Sequence, residues 1–138
     1  MPLAAGLALA LSAVLSTPAS ATASGVVLMP AAQTVQEYVD TYFADTPILI
    51  KVAECESHFK QYDSDGSVHR GVVNNKDVGV MQINEHYHLS TAEALDLDIY
   101  TLQGNLAYAK YLYDQEGLQP WSSSKPCWGK SDKVAVNN

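Results

Sequence analysis

A mainly helical domain with a small β-hairpin lobe after its second helix is the fold class this sequence predicts. Two stretches space their apolar residues three and four apart, before residue 58 and again after residue 101, as helices with one buried face do. Between them, residues 61–79 are dense in turn chemistry, with "DSDG" and "NNKD" around short β-branched pieces, and read as a small β-hairpin or an irregular lobe. The chain has 138 residues and is 47% hydrophobic, enough for one compact core and too little for a second domain.

The elements follow in order. Residues 1–23 read as a secretory signal: an apolar stretch over 3–15, a break at Pro18 and small residues "ASATAS" that offer a cleavage site near Thr22 or Ser24, although no basic residue opens it. The apolar stretch is too short for a membrane span, which needs about 20 such residues. Residues 24–33 form a linker, and residues 34–130 the folded domain. Val35, Tyr38, Val39, Tyr42 and Phe43 mark the first helix. A second runs over 47–58, with Thr46 as N-cap and Pro47 at the first helical position, where its missing N–H costs nothing.

After the turn-rich lobe, "GVMQIN" leads into an ordered piece, and Ser90 with Glu93 has the spacing of a capping box that opens a short helix. A last long helix covers 102–116 and stops at Gly117, with Leu102, Leu106, Ala109 and Tyr113 on one side. The remainder lacks periodicity. Only Trp121, Cys127 and Trp128 look anchored there, and residues 131–138 read as a flexible tail.

Cys55 and Cys127 are the only cysteines, an even pair in a chain that reads as exported, so a disulfide between them is expected. Two buried free thiols are the other possibility. The net charge of −7 argues against a nucleic-acid partner, which wants clustered Lys and Arg.

Glu56 carries the chemistry. On the second helix it shares the face of Leu49, Val52 and Ala53, whereas Glu54 is rotated about 200° away. Apolar surroundings and the negative end of the helix dipole both disfavour its charged form. A carboxyl that keeps its proton near neutral pH is what a general acid for glycosidic cleavage needs, while a partly exposed helix-end glutamate is the plainer alternative.

"ESHF" from Glu56 to Phe59, followed by "GVMQIN" from Gly79 to Asn84, resembles the Glu-Ser-x-Phe and Gly-Leu-Met-Gln motifs of the lysozyme-like superfamily. That superfamily includes goose-type lysozymes, soluble lytic transglycosylase domains and the animal C-type lysozymes. "NLAYAKYLY" from Asn105 to Tyr113 is similar to the transglycosylase helix that carries a tyrosine into the cleft, so the resemblance spans residues 46–113. It implies a mainly α, α+β lysozyme-like fold and a secreted enzyme that cuts the β-1,4 bond between N-acetylmuramic acid and N-acetylglucosamine in peptidoglycan. Glu56 takes the place of the catalytic acid. Asp77, in a run similar to the Asp-x-Gly-x-x-Gln-Ile-Asn of C-type lysozymes, takes that of a second carboxylate or stands as an ordinary turn residue.

The resemblance further implies substrate-cleft positions for Ser57, Met81, Gln82, Asn84, Asn105 and Tyr111, with Ser57 and Phe59 supporting the helix end and Gly79 in the cleft floor. Tyr108 and Tyr113 compete with Tyr111 for its role. Peptidoglycan glycan strands are the implied partner, the protein is expected to act as a monomer, and the chemistry needs no cofactor. Two departures stand out: "QPWSSSKPCW" replaces the Ala-Tyr-Asn-Ala-Gly-like segment of many transglycosylases, and the extra disulfides of C-type lysozymes are absent.

Trp121 and Trp128 fit either sugar stacking or hydrophobic anchoring. Taking Asp63 as the first position of a calcium loop puts Val68 and Asn74 where glycine and a bidentate glutamate belong, so "DSDG" is a turn. His86 and His88 lack a third ligand at a zinc spacing. Two rival functions remain: a catalytically silent glycan-binding protein on the same fold, and a wall peptidase that uses Cys55 as nucleophile.

Overall fold

The computed structural model describes residues 32–130; the expected signal over 1–23, the expected linker up to residue 31 and the expected tail over 131–138 lie outside the described residues. Five helices and a two-stranded antiparallel hairpin make up the domain. Helix α1 spans Val35–Tyr42 and opens on a capping box between Thr34 and Glu37. Helix α2 spans Ile48–Ser57, and Pro47, already helical, stands at its N-cap. Thr46 makes no side-chain cap, which corrects its expected role: the turn forms on backbone bonds instead, with Leu49 N–H donating to Thr46 O at 2.9 Å.

The hairpin lies further along than the turn residues suggested. Strand β1 is Asp77–Val78 and β2 is Ile83–Asn84, paired Asp77 to Asn84 and Val78 to Ile83. Residues 61–76 form an irregular lobe, the second of the two expected forms, held by two isolated bridges, Tyr62 to Val68 and Arg70 to Val78. "DSDG" is a turn, with Gly66 at φ 84° and Asp63 N–H donating to Ser67 O at 2.8 Å.

Helix α3 spans Glu85–Ala94 and starts six residues earlier than the Ser90 capping box implied. Asn84 caps it, accepting from His86 N–H at 3.1 Å, so Ser90 sits exposed in the helix interior. A cap placed directly after a strand wins over the later local signal because it lets strand and helix share one residue. Helix α4 spans Leu102–Glu116 with the expected bounds, capped by Thr101 and closed at Gly117 in the left-handed region. A 3₁₀ turn over Gln119–Ser124 and the short helix α5, Lys125–Trp128, give regular structure to a stretch that shows no periodicity.

The core gathers Val39 and Phe43 of α1, Leu49, Val52 and Ala53 of α2, and Leu106, Ala109 and Leu112 of α4 around the hairpin residues Val78, Val80, Met81 and Ile83. Trp121 and Trp128 are buried at its edge. Cys55 and Cys127 are bridged, tying α2 to α5 across a separation of 72 residues. No helix among the described residues is long and apolar enough to cross a membrane.

Candidate active site

Glu56 lies in the last turn of α2, where Leu49, Val52, Ala53 and Ser57 are buried and Glu56 itself is half-buried. Glu54 is exposed, as its position around the helix requires. The helix ends sharply because His58 (φ 53°) and Phe59 (φ 60°) both take left-handed backbone, which costs a non-glycine residue about 1 kcal/mol or more. The helix therefore stops one residue past Glu56.

The tip of the hairpin, residues 78–81, is buried, so its backbone polar groups need partners from elsewhere. Four side chains supply them. Gln61 Oε1 accepts from Val80 N–H (2.9 Å), and Asn105 Oδ1 accepts from Met81 N–H (2.9 Å) while its Nδ2 donates to Val78 O (3.0 Å). Ser57 Oγ donates to Val80 O (2.8 Å), and Trp121 Nε1 donates to Met81 O (2.9 Å). The residue beside Glu56 thus fastens the helix to the hairpin.

Gly79 completes this clamp: its φ is 73°, and a Cβ there would collide with Asn105 Nδ2 and Gln61 Oε1. Gly79→Ala is expected to lower stability by about 2 kcal/mol or more, since left-handed alanine and a crowded buried amide pair add. Urea unfolding checks this, and an unchanged midpoint would contradict it.

Asp77 and Glu56 line the same cavities. Asp77 Oδ1 accepts from Asn84 Nδ2 at 2.6 Å and from Asn74 Nδ2 at 3.3 Å. Asn84 therefore caps α3 with its oxygen and orients Asp77 with its nitrogen. Glu56 Oε1 accepts from Ser124 Oγ at 2.5 Å, a bond that reaches across 68 residues of sequence. Burial pushes the Glu56 carboxyl above the usual carboxylate range, the Ser124 hydrogen bond pulls it partly back, and the charge of Asp77 raises it again.

Two cavities meet at these groups. One of ≈ 280 Å³ is lined by Glu56, Asp77, Gln82, Asn84, Tyr87 and His88 with Leu112, Pro120 and Trp121 behind them. The other, of ≈ 580 Å³, shares Glu56, Asp77, Gln82 and Ser123 with it and runs on past His58 and Lys60 to Val72 and Val73. Gln82, at φ 49°, lies in both. Both cavities therefore adjoin at Glu56 and Asp77.

Of the residues expected in the cleft, Glu56, Asp77, Gln82 and Asn84 come together there. Asn105 and Met81 are fully buried beneath it, and Ser57 is buried with its hydroxyl committed to backbone. Asn105 and Met81 hold the floor from below, whereas Ser57, also bound to backbone, still lines the larger cavity beside Glu56. Tyr111 is half-buried against Tyr108, with ring centroids 5.6 Å apart, and lines neither cavity; α4 contributes Leu112 instead. His88 Nδ1 lies 3.1 Å from the hydroxyl of the buried Tyr108, and burial lowers its pKa.

Ser124, Gln61, Tyr87 and His88 are the residues that sequence reasoning missed. Among the described residues no group of three His, Cys, Asp or Glu side chains is placed to hold a metal ion. No family model, curated protein or solved structure significantly matches the chain.

Proposed function

We propose that this chain is a secreted lysozyme-like glycosidase that cuts the β-1,4 bond between N-acetylmuramic acid and N-acetylglucosamine in peptidoglycan, with Glu56 as its proton donor. The observation that carries the proposal is a half-buried carboxyl with raised proton affinity, set where two halves of an open groove meet. The motifs from Glu56 to Phe59 and from Gly79 to Asn84 support the choice of substrate.

In this reading a glycan strand lies along the groove and Glu56 gives its proton to the bridging oxygen as the bond to the muramyl C1 breaks. The hydrogen bond from Ser124 to Oε1 favours placing the proton on Oε2, the oxygen left for substrate. Once ionised, Glu56 serves as base. It can take the proton of the muramyl 6-hydroxyl as that oxygen bonds to C1, closing an anhydro ring, or take one from water. Asp77, held by Asn84 and Asn74, stabilises the positive charge that develops at C1 or bonds to it transiently.

Mass spectrometry of fragments released from purified peptidoglycan tests this. Anhydro-muramyl ends mark the transglycosylase route and leave Asp77 a structural role; hydrated reducing ends mark hydrolysis and make Asp77 the next residue to replace. Folded protein that releases neither would overturn the proposal in favour of a silent glycan-binding module. The cysteine-peptidase alternative has lost its nucleophile to the disulfide.

A further inference from the structure

Residues 72–76 are all exposed, and Val72 and Val73 stand wholly in water, so burial of apolar surface does not decide where this loop lies. Yet Gly71, Val72, Val73 and Asn74 line the ≈ 580 Å³ cavity that reaches Glu56 and Asp77. Polar bonds must therefore set the position of that wall.

Those bonds are of two kinds. Gly71 N–H donates to Asp77 O at 2.9 Å, Asp77 N–H donates to Asn74 O at 3.1 Å and Asn74 Nδ2 donates to Asp77 Oδ1 at 3.3 Å, which closes the loop on itself and gives it shape. The bonds that seat it converge on Glu85, the first residue of α3. Glu85 N–H donates to Lys76 O at 2.8 Å, and its carboxylate accepts from Arg70 Nη1 (3.0 Å) and Nη2 (3.2 Å), from Lys76 Nζ (3.4 Å) and from the Tyr100 hydroxyl (2.9 Å). Arg70 Nη1 also donates to Asn75 O at 2.8 Å, so one guanidinium joins the loop backbone to the helix.

Isolated surface ion pairs contribute little, but a bidentate guanidinium–carboxylate pair inside a network is the exception. The Glu85 side chain is 14% exposed and stands at a helix N-terminus, where negative charge is favoured. The Arg70 guanidinium beside it holds its carboxyl below the usual range. Neither Glu85 nor Arg70 lines a cavity at Glu56.

We infer that Glu85 is a positioning residue for the groove: with Arg70 it latches residues 71–76 as the wall of the larger cavity, and so sets how a glycan is held there without touching it. The latch rests on the glycosidase proposal for its substrate alone.

Glu85→Ala and Arg70→Ala are each expected to raise KM on soluble peptidoglycan strands about tenfold while kcat stays within about twofold, and the double variant should be no worse than either single one, because both break one latch. An ion pair that only stabilises the fold would lower the melting temperature and leave KM alone. Amide hydrogen exchange followed by NMR reads the seat of the loop directly. The amide of residue 85, which donates to Lys76 O, should exchange faster in both variants, while those of Val80 and Met81, held by Gln61 and Asn105, keep their protection. Faster exchange at all three makes Glu85 a support of the whole fold, and unaltered exchange at residue 85 or an unaltered KM leaves the wall to its own internal bonds; each overturns the latch. If the native protein cuts no strand, the glycosidase proposal fails and exchange alone decides: acceleration at residue 85 without change at Val80 and Met81 upholds the latch, and any other pattern removes it.

Discussion

Glu56→Gln is expected to cut turnover on peptidoglycan by about a hundred- to ten-thousand-fold and to leave the fold intact. Glutamine has the same shape and keeps an oxygen to accept the Ser124 hydroxyl, so the contact between α2 and the 3₁₀ turn survives. What it lacks is the transferable proton. The same variant should be more stable than the native protein at neutral pH, because folding there makes the native chain either bury an ionised carboxylate or take up a proton that the unfolded chain has released.

The sign follows from linkage. The folded-state pKa of Glu56 is raised, so its contribution to stability is fully present below the unfolded value of about 4.3 and is lost as pH rises through the folded value. Glutamine does not titrate, so the advantage of the variant should vanish near pH 4 and grow toward pH 7.5. Thermal melts at both pH values, beside a rate measurement, separate the outcomes. Full activity in a folded variant would remove Glu56 from catalysis, and a melting gain independent of pH would remove the buried-charge explanation.

Glu56 was legible because its burial is local: four residues of one helix fix the face on which it lies. The disulfide was legible for a different reason, since a chain with two cysteines and an export-like start has one pairing to offer. Ser124 was not. It reaches Glu56 only through the docking of a stretch with no periodicity, pinned by indole hydrogen bonds that no local pattern announces.

Asn105 was found by its motif position but assigned to the wrong side of the cleft floor. A sequence match marks a residue as near a site; whether it faces ligand or backbone depends on which turn it packs under, here the tip at Gly79 and Met81. The start of α3 failed similarly. Ser90 and Glu93 satisfy a local rule, yet Asn84 caps the helix while holding Asp77, and a cap that serves two elements overrides one that serves itself.

Replacing both Cys55 and Cys127 with Ala is expected to cost about 4 kcal/mol, because the bridge closes a loop of 72 residues whose entropy the unfolded chain would regain. For a domain of this size the melting temperature should fall on the order of 20 °C. The site should change less than the stability. The segment carrying Ser124 has another tie to the hairpin, Trp121 Nε1 to Met81 O, and an internal brace, Trp128 Nε1 to Trp121 O, both 2.9 Å and both buried. Well below the new melting point these should keep Ser124 against Glu56, and the pH profile of kcat should keep its basic limb.

Ser124→Ala is the contrast. It removes the one hydrogen bond that favours ionised Glu56, so the basic limb should move to higher pH with little change in melting temperature. A cysteine-free variant whose limb shifts as far as that of Ser124→Ala would mean that the disulfide, and not the indole clamps, positions the hydroxyl. Unchanged stability after loss of both cysteines would instead mean that the unfolded chain gains nothing from release of the loop.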